Sequence, residues 1–427
     1  MNTHEAHRKT AGTLKSKSAK SHIAILGAGP IGLEAALYAR ALGYTVTLYD
    51  KGAVAANIRT WGHIQLFSPW SYNRSALGLR RLREEGLGAP DLSGDDCPTG
   101  AELVRDYLAP LATLPELRGS VQENCEILAC SRGNLLKKDI GGAVDRASQP
   151  FRLLVRKSGG RERFDMAEIV IDATGVFGEH NRLGEGGIPA LGEMGVDSDI
   201  EYNPPDIPGQ ARGDYVGLHT VVAGAGFSGA TSAVALAELT KAAPGTRVTW
   251  ICRTENPQPM KAIPNDPLPN RRDLTAAGNW LAVEPPENFA YFGGYAVTGI
   301  EKNGDKFALT IENRSGETHL IECDRIIANV GYHPNERIYR QLHVHECYAT
   351  LGPIDLAASL MGQDIVDCFA VQAGAADLLR TPEPNFYILG AKSFGTTPNF
   401  LIYLGHEHIA QLFTLITSDE RLNLYSD

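Results

Sequence analysis

The sequence predicts an α/β protein built on parallel sheets, and two stretches carry that prediction. "HIAILGAGPIGLEAALYARALGYTVTLYD" begins at His22 and "VGLHTVVAGAGFSGATSAVALAELTKAAPGTRVTWICR" at Val216. Each reads as an apolar strand, a G-x-G-x-x-G turn, a helix and a second strand, in that order. With 427 residues, 43% apolar and 21% charged, the chain is long enough for about two or three domains.

The first element is the N-terminal tail. Residues 1–21 carry Arg8, Lys9, Lys15, Lys17 and Lys20 against Glu5 alone, with no apolar run to serve as a signal segment, and read as a disordered basic tail. The whole chain is acidic, with a formal net charge of −10 and pI near 5.7. Nucleic-acid binding needs a clustered excess of Lys and Arg, so none is expected, and small-molecule chemistry becomes the default.

In the first glycine unit a strand from His22 to Leu26 meets Gly27, Gly29, Pro30, Ile31 and Gly32. Gly27 permits the tight turn, Gly29 lets a pyrophosphate approach the backbone, and Gly32 lets the helix pack closely on the strand. The phosphates then sit at the positive end of a helix, worth on the order of 0.3–2 kcal/mol. Asp50, ending the second strand, is placed to accept the hydroxyls of an adenosine ribose. The unit reads as a Rossmann-like dinucleotide site.

The second unit repeats the arrangement with Gly224, Gly226, Phe227, Ser228 and Gly229 in the turn and a strand from Arg247 to Cys252. Its tip differs: Arg253 stands where the first unit has Asp50. A guanidinium there suits a 2′-phosphate, which favours NADPH over NADH. Glu255 lies close by, and Arg271 or Arg272 is the alternative phosphate ligand. The uncharged stretch between Asp214 and Glu238 matches the length of a span, about 20 residues, but its glycines mark a strand turning into a helix, and no membrane segment is expected. A chain that holds two dinucleotides usually moves a hydride between them.

Two further segments point to a family. "EIVIDATGVFG" places Ala173, Thr174 and Gly175 after a buried strand, and "CDRIIANVGYHPN", residues 323–335, reads as a return strand and glycine turn. With the two loops, they make the chain resemble the flavoproteins with two dinucleotide-binding domains. That resemblance implies an FAD-binding Rossmann-like domain over 22–215 and 332–427, interrupted by an inserted NAD(P)H-binding Rossmann-like domain over 216–331. The irregular "GGIPALGEMGVDSDIEYNPPDIPGQARGDY" connects them. The FAD cofactor would use both Thr174 and Gly175. Relatives carry a Gly-Asp pair after the last FAD-domain strand; here Gly390 is present, but Ala391 and Lys392 stand where the Asp would be. A helix beginning near Thr397 would point its amides at the flavin.

Disulfide reductases of this superfamily need a suitably placed dithiol. The seven cysteines contain no C-x-x-C, which fits a reducing cytoplasm, and Cys125 and Cys130 of "CEILAC" read as structural residues of a strand. The nearest branch is then the class B flavin-dependent monooxygenases. Their Baeyer–Villiger fingerprint is only echoed by Phe177, Gly178, Glu179 and His180, and His219 lacks a Trp four places on. The resemblance implies a single-component monooxygenase that oxygenates nitrogen or sulfur of a small molecule through a flavin C4a-hydroperoxide, with molecular oxygen and NADPH as co-substrates. A reductase serving a quinone, metal or protein partner is the alternative, and a slow or inactive flavin-binding sensor is a second; a homodimer is left open.

Remaining candidates concern the flavin's surroundings. "IRTWGHIQLFSPWSYN" gathers Trp61, His63, Phe67, Trp70 and Tyr72. Trp61, His63 and Trp70, with Lys392, are the flavin-proximal candidates, the competing reading being that Phe67 and Trp70 are core. His343, His345 and Cys347 have metal-like spacing but no fourth ligand, so no metal is expected. His406 and His408 belong to a final helix. Asn265, Asp266 and Arg272, in a proline-rich loop over 260–274, are candidates for a nucleotide or substrate entrance.

Overall fold

The computed structural model describes residues 21–88, 92, 94–140, 145–363 and 370–426. The basic tail foreseen over 1–21 lies outside them, apart from Ser21.

The strands, in chain order, are β1 (His22–Leu26), β2 (Thr45–Tyr49), β3 (Val121–Gln122), β4 (Cys125–Arg132), β5 (Phe151–Lys157), β6 (Glu162–Ala167) and β7 (Ile169–Asp172). After a long connection come β8 (His219–Ala223), β9 (Arg247–Cys252), β10 (Phe289–Gly293), β11 (Tyr295–Asn303), β12 (Lys306–Asn313), β13 (Thr318–Cys323), β14 (Arg325–Ala328) and β15 (Phe386–Ile388). Two sheets are wholly parallel, in the orders β15-β7-β1-β2-β3 and β10-β9-β8-β14. Two smaller antiparallel sheets, β4-β5-β6 and β11-β12-β13, accompany them.

Strand periodicity explains the layers. Side chains of a strand alternate between faces, so Ile23 and Ile25 of β1 join the core beneath the helices Pro30–Ala41 and Ile402–Thr417. Ala24 and Leu26 point the other way, toward Phe151, Leu153 and Val155 of β5. Burying each such large apolar side chain contributes roughly 1.5–3 kcal/mol. In the second parallel sheet Val222 packs with Trp250 under the helix Phe227–Ala242, whose Ala230, Ala233 and Ala237 allow a close approach. Val221 and Ala223 face the antiparallel sheet through Leu309 and Ile311.

The long connection is irregular, as expected, with only short 3₁₀ turns such as Glu193–Gly195 and Arg212–Asp214. Leu183, Ala190, Val196 and Ile200 nevertheless enter the same core as Val221. Leu191 pairs with Gly299 and Glu201 with Ile327. The chain crosses between the parallel sheets in two segments that pair with each other: His180 bridges Tyr332, Asn181 N donates to Gly331 O at 2.9 Å, and His333 N donates to Glu179 O at 2.9 Å. Among the described residues no helix is long and apolar enough to cross a membrane.

Candidate functional site

In each parallel sheet the strand order reverses beside the strand that feeds the glycine turn. β1 has β2 on one side and β7 on the other, and β8 lies between β9 and β14. A crevice opens at such a switch point, outside the carboxyl ends of the strands. The two turns meet it alike. Gly27 (φ +95°) lies so close to the end of β7 that a Cβ would sit 2.6 Å from Ala173 O, and Gly224 (φ +122°) would likewise collide with Asn329 O. A Cβ on Gly32 or Gly229 would run into the carbonyl of Gly27 or Gly224. Gly29 and Gly226 alone have nothing within 4 Å in that direction. Both following helices, Pro30–Ala41 and Phe227–Ala242, start without a side-chain cap or an acidic first turn. Their first amides, apart from Pro30, which has no N–H, are therefore available to a negatively charged group.

A cavity of about 740 Å³ lies over the first turn, within the range of about 300–1,000 Å³ usual for small-molecule sites. Gly27, Gly29, Pro30, Ile31 and Asp50 line it, together with Thr174, Gly175 and Gly390, so most residues predicted for one nucleotide are brought together. Gly32 instead lies behind the turn. Asp50 accepts hydrogen bonds from Ala28 N at 2.7 Å and Gly52 N at 2.8 Å. That fixes the carboxylate, and each oxygen keeps a lone pair for a further donor.

The aromatic stretch divides. Trp61 lines the cavity, stacked against Phe177 with ring centroids 6.1 Å apart, and its buried Nε1 has no partner. Trp70, expected beside the flavin, is 8% exposed and belongs to the core. His63 does not line the cavity either, and its Nε2 is buried without a partner. Phe67 turns to the second glycine unit, its ring edge-on to Phe227 at 5.1 Å, and Gln65 accepts a hydrogen bond from Asn270 at 3.0 Å.

Two expectations near the C-terminus need correction. The last helix starts at Ile402, not near Thr397. The chain stays irregular up to Leu401, itself extended (φ −116°, ψ 147°), with Phe400 packed edge-on against Phe394 and lining the cavity; Thr397 instead borders a separate hollow with Thr350, Gln363 and Asn399. Lys392 does not face the cavity. It is fully buried behind Gly390 and Ala391, paired with Asp172 at 2.7 Å.

In the second unit Gly226, Phe227 and Ser228 are exposed at the helix start, and Arg253 is exposed at the tip of β9. Arg271 is no phosphate ligand: it is buried and bound to Asp266 at 2.7 Å. The stretch expected to be a loop over 260–274 becomes helix from Pro269, so Asp266 is a structural partner and Arg272 pairs with Asp273 on the helix surface, while Asn265 remains exposed in the preceding turn.

Other marked residues resolve simply. His343 and His345 lie in irregular chain, and among the described residues no cluster could hold a metal. His406 and His408 are in the last helix, as expected, and burial pushes their imidazoles down to about 3 and about 4. Cys125 and Cys130 are buried free thiols of β4. Sequence reasoning missed Lys51, whose ammonium reaches Gly178 across the cavity, along with Asn335 and Phe400. Adjacency to Asp50 could have flagged Lys51; nothing local flags the other two.

No family model matches the chain, and no curated protein matches it in sequence. Solved structures do match in fold. A bacillithiol disulfide reductase from Bacillus cereus is 18% identical, with 94% of this chain and 99% of that one covered and a TM-score of 0.64. Thioredoxin reductase from T. acidophilum is 19% identical, with 93% and 100% covered and a TM-score of 0.56. An ornithine N-hydroxylase from Kutzneria sp. 744, solved with reduced FAD, NADP⁺ and L-ornithine, is 15% identical, with 93% and 99% covered and a TM-score of 0.61. The chain thus has the two-dinucleotide-binding-domain fold shared by disulfide reductases and flavin monooxygenases.

Proposed function

From a fold common to these two groups of flavoenzymes, we propose that the chain is an FAD-dependent, NADPH-using oxidoreductase that oxygenates a small molecule. The observation that carries the reading is the pair of equivalent cradles, each with one glycine open toward solvent and an uncapped helix behind it. The division into an FAD domain over 22–215 and 332–427 and an NADPH domain over 216–331 is part of the same proposal, with the connection over 183–215 packed on the NADPH domain through Leu183, Ala190, Val196 and Ile200.

The residues fit the cofactors. The amides of Gly29, Ile31 and Gly32 would receive the FAD pyrophosphate, Pro30 having no N–H and those of Gly27 and Ala28 already donating to Tyr49 O and Asp50. Asp50 would receive the adenosine hydroxyls, and Thr174, Gly175, Gly390 and Ala391 would form the wall beside them. Amides at 226–229 would receive the NADPH pyrophosphate and Arg253 its 2′-phosphate. Bound FAD supplies the two-electron chemistry, accepting a hydride from NADPH and passing electrons to oxygen. The protein's part is orientation and dryness. Trp61, Phe177 and Phe400 give the cavity an aromatic lining; with FAD bound against it, exclusion of water there would favour transfer of oxygen to substrate over its loss as peroxide. Oxygenation is favoured over disulfide reduction because, among the described residues, Cys125 is the one cysteine lining the cavity; it is a buried free thiol, and its strand neighbour Cys130 does not line the cavity, so no dithiol faces it.

Titration of the protein with FAD, followed by anaerobic addition of NADPH, tests the cofactor assignment through bleaching of the flavin absorbance. Oxygen is then admitted with candidate amines and thioethers. Oxygen recovered in product supports the monooxygenase, stoichiometric hydrogen peroxide or reduction of a quinone supports the reductase, and failure to take up flavin ends both.

A further inference from the structure

Lys392 is among the largest fully buried side chains of the protein, and its partner Asp172 is equally hidden. Its ammonium donates to Asp172 Oδ2 at 2.7 Å, to Thr174 Oγ1 at 3.0 Å and to the carbonyl of Asn335 at 2.8 Å. An ammonium has three donors, so all are committed. The other oxygen of Asp172 accepts from Thr174 N at 3.1 Å and Thr174 Oγ1 at 2.7 Å, while the ammonium also sits over the Tyr339 ring at 4.8 Å.

The partners are not scattered. Thr174 follows β7, Asn335 follows the second crossing between the sheets, and Lys392 follows β15 directly behind Gly390 and Ala391. Thr174, Asn335, Gly390 and Ala391 all line the cavity. Three chain segments that come together from distant parts of the sequence are therefore held by one side chain just outside the cavity. The hydroxyl of Thr174 gives its proton to Asp172 and a lone pair to Lys392, so it is held in place and has no proton left for a ligand.

We propose that Lys392 is a positioning residue of the dinucleotide site: with Asp172 it forms a charge-balanced clasp that sets the relative places of Thr174, Asn335 and Ala391 and leaves the wall behind the cofactor without net charge. The proposal rests on the FAD reading above. A buried pair with only a structural role would respond to loss of either partner in the same way, through an uncompensated buried charge. A clasp beside a redox cofactor responds with opposite signs. Removing the cation leaves an anion that disfavours reduced, more negative flavin, and removing the anion leaves a cation that favours it.

The test compares FAD dissociation constants and flavin midpoint potentials of wild type, Lys392→Met, Lys392→Arg and Asp172→Asn. For Lys392→Met we expect an FAD dissociation constant raised about tenfold or more and a lowered potential, since hydrogen bonds to a charged group are lost. Lys392→Arg keeps the charge and returns the constant to within about threefold of wild type. Asp172→Asn raises the potential. Both single changes moving the potential in one direction, or Lys392→Met binding FAD within about twofold of wild type, overturns the proposal. Should Lys392→Met fail to fold, Asp172→Asn decides: a potential at or below that of wild type overturns it. Wild-type protein that takes up no FAD overturns the functional reading and this inference with it, so the two failures are told apart by the first titration.

Discussion

Gly27 and Gly29 stand two residues apart and tolerate a side chain very differently. Gly27 has φ +95° and would press a Cβ on Ala173 O, whereas Gly29 has φ −80° and an open direction. Gly27→Ala should lower unfolding stability by about 1–3 kcal/mol. Gly29→Val should leave the thermal midpoint unchanged and cost FAD about tenfold or more in affinity, because the branched side chain takes the place where phosphate approaches; calorimetry and flavin titration separate the two effects. Glu34 makes a second case. Its carboxyl is fully buried, accepts from Ser75 Oγ at 2.8 Å and from Tyr107 OH, and is pushed by desolvation from its ordinary value near 4.5 up to about 7. A folded-state value above the unfolded one means stability that is fully present below about pH 4.5 and lost as pH rises through about 7. Glu34→Gln stays neutral, so urea unfolding should show wild type falling behind this variant between about pH 5 and 8, by up to ~3 kcal/mol. His406, 4.0 Å from Glu34, has the opposite sign: held neutral by burial, it contributes stability above its ordinary 6.5 that is lost as pH falls toward 3. The positions of the turn glycines and Asp50 were legible because they recur in a fixed local pattern of strand, turn, helix and strand, although what Gly27 and Gly224 press against, Ala173 and Asn329, is distant in the chain. Lys392 and Trp70 were not, because what surrounds them is supplied by segments far off in the chain.

Among the elements, both glycine turns with their strands and helices were readable, and β1 and the strand Arg247–Cys252 fall where the sequence puts them. The start of the last helix was not. Thr397 followed by Pro398 is a strong local start signal, yet the chain stays non-helical for four more residues, with Phe400 packed on Phe394, before the helix starts at Ile402. The antiparallel sheet of β4, β5 and β6 was also hidden, since its tie to the parallel sheet is a buried ionic group. Arg132 and Arg146 both bind Glu383, at 2.8 and 2.6 Å, just before β15. Neutralising the shared carboxylate leaves two buried guanidinium groups without a counter-charge. Glu383→Gln should therefore cost about 3–5 kcal/mol in chemical denaturation.

On the scale of the whole molecule, the sequence told that two similar units exist, and the parallel sheets with their matching switch points bear out that α/β architecture. What it left open is how they share surface. Phe67, read from the sequence as part of a flavin-proximal aromatic patch or else as core, lies against Phe227 at the second turn, so one short segment touches both cradles. The paired crossings at Asn181 and Gly331 have a topological corollary. The excursion through the second parallel sheet leaves and returns at a single place, so its ends already meet and closing the gap costs little loop entropy. Excision of residues 183–329 with a short Gly-Ser splice should yield a shortened polypeptide that still turns yellow with FAD but is no longer bleached by NADPH. A product that aggregates or stays colourless would mean that the host cannot stand without its guest.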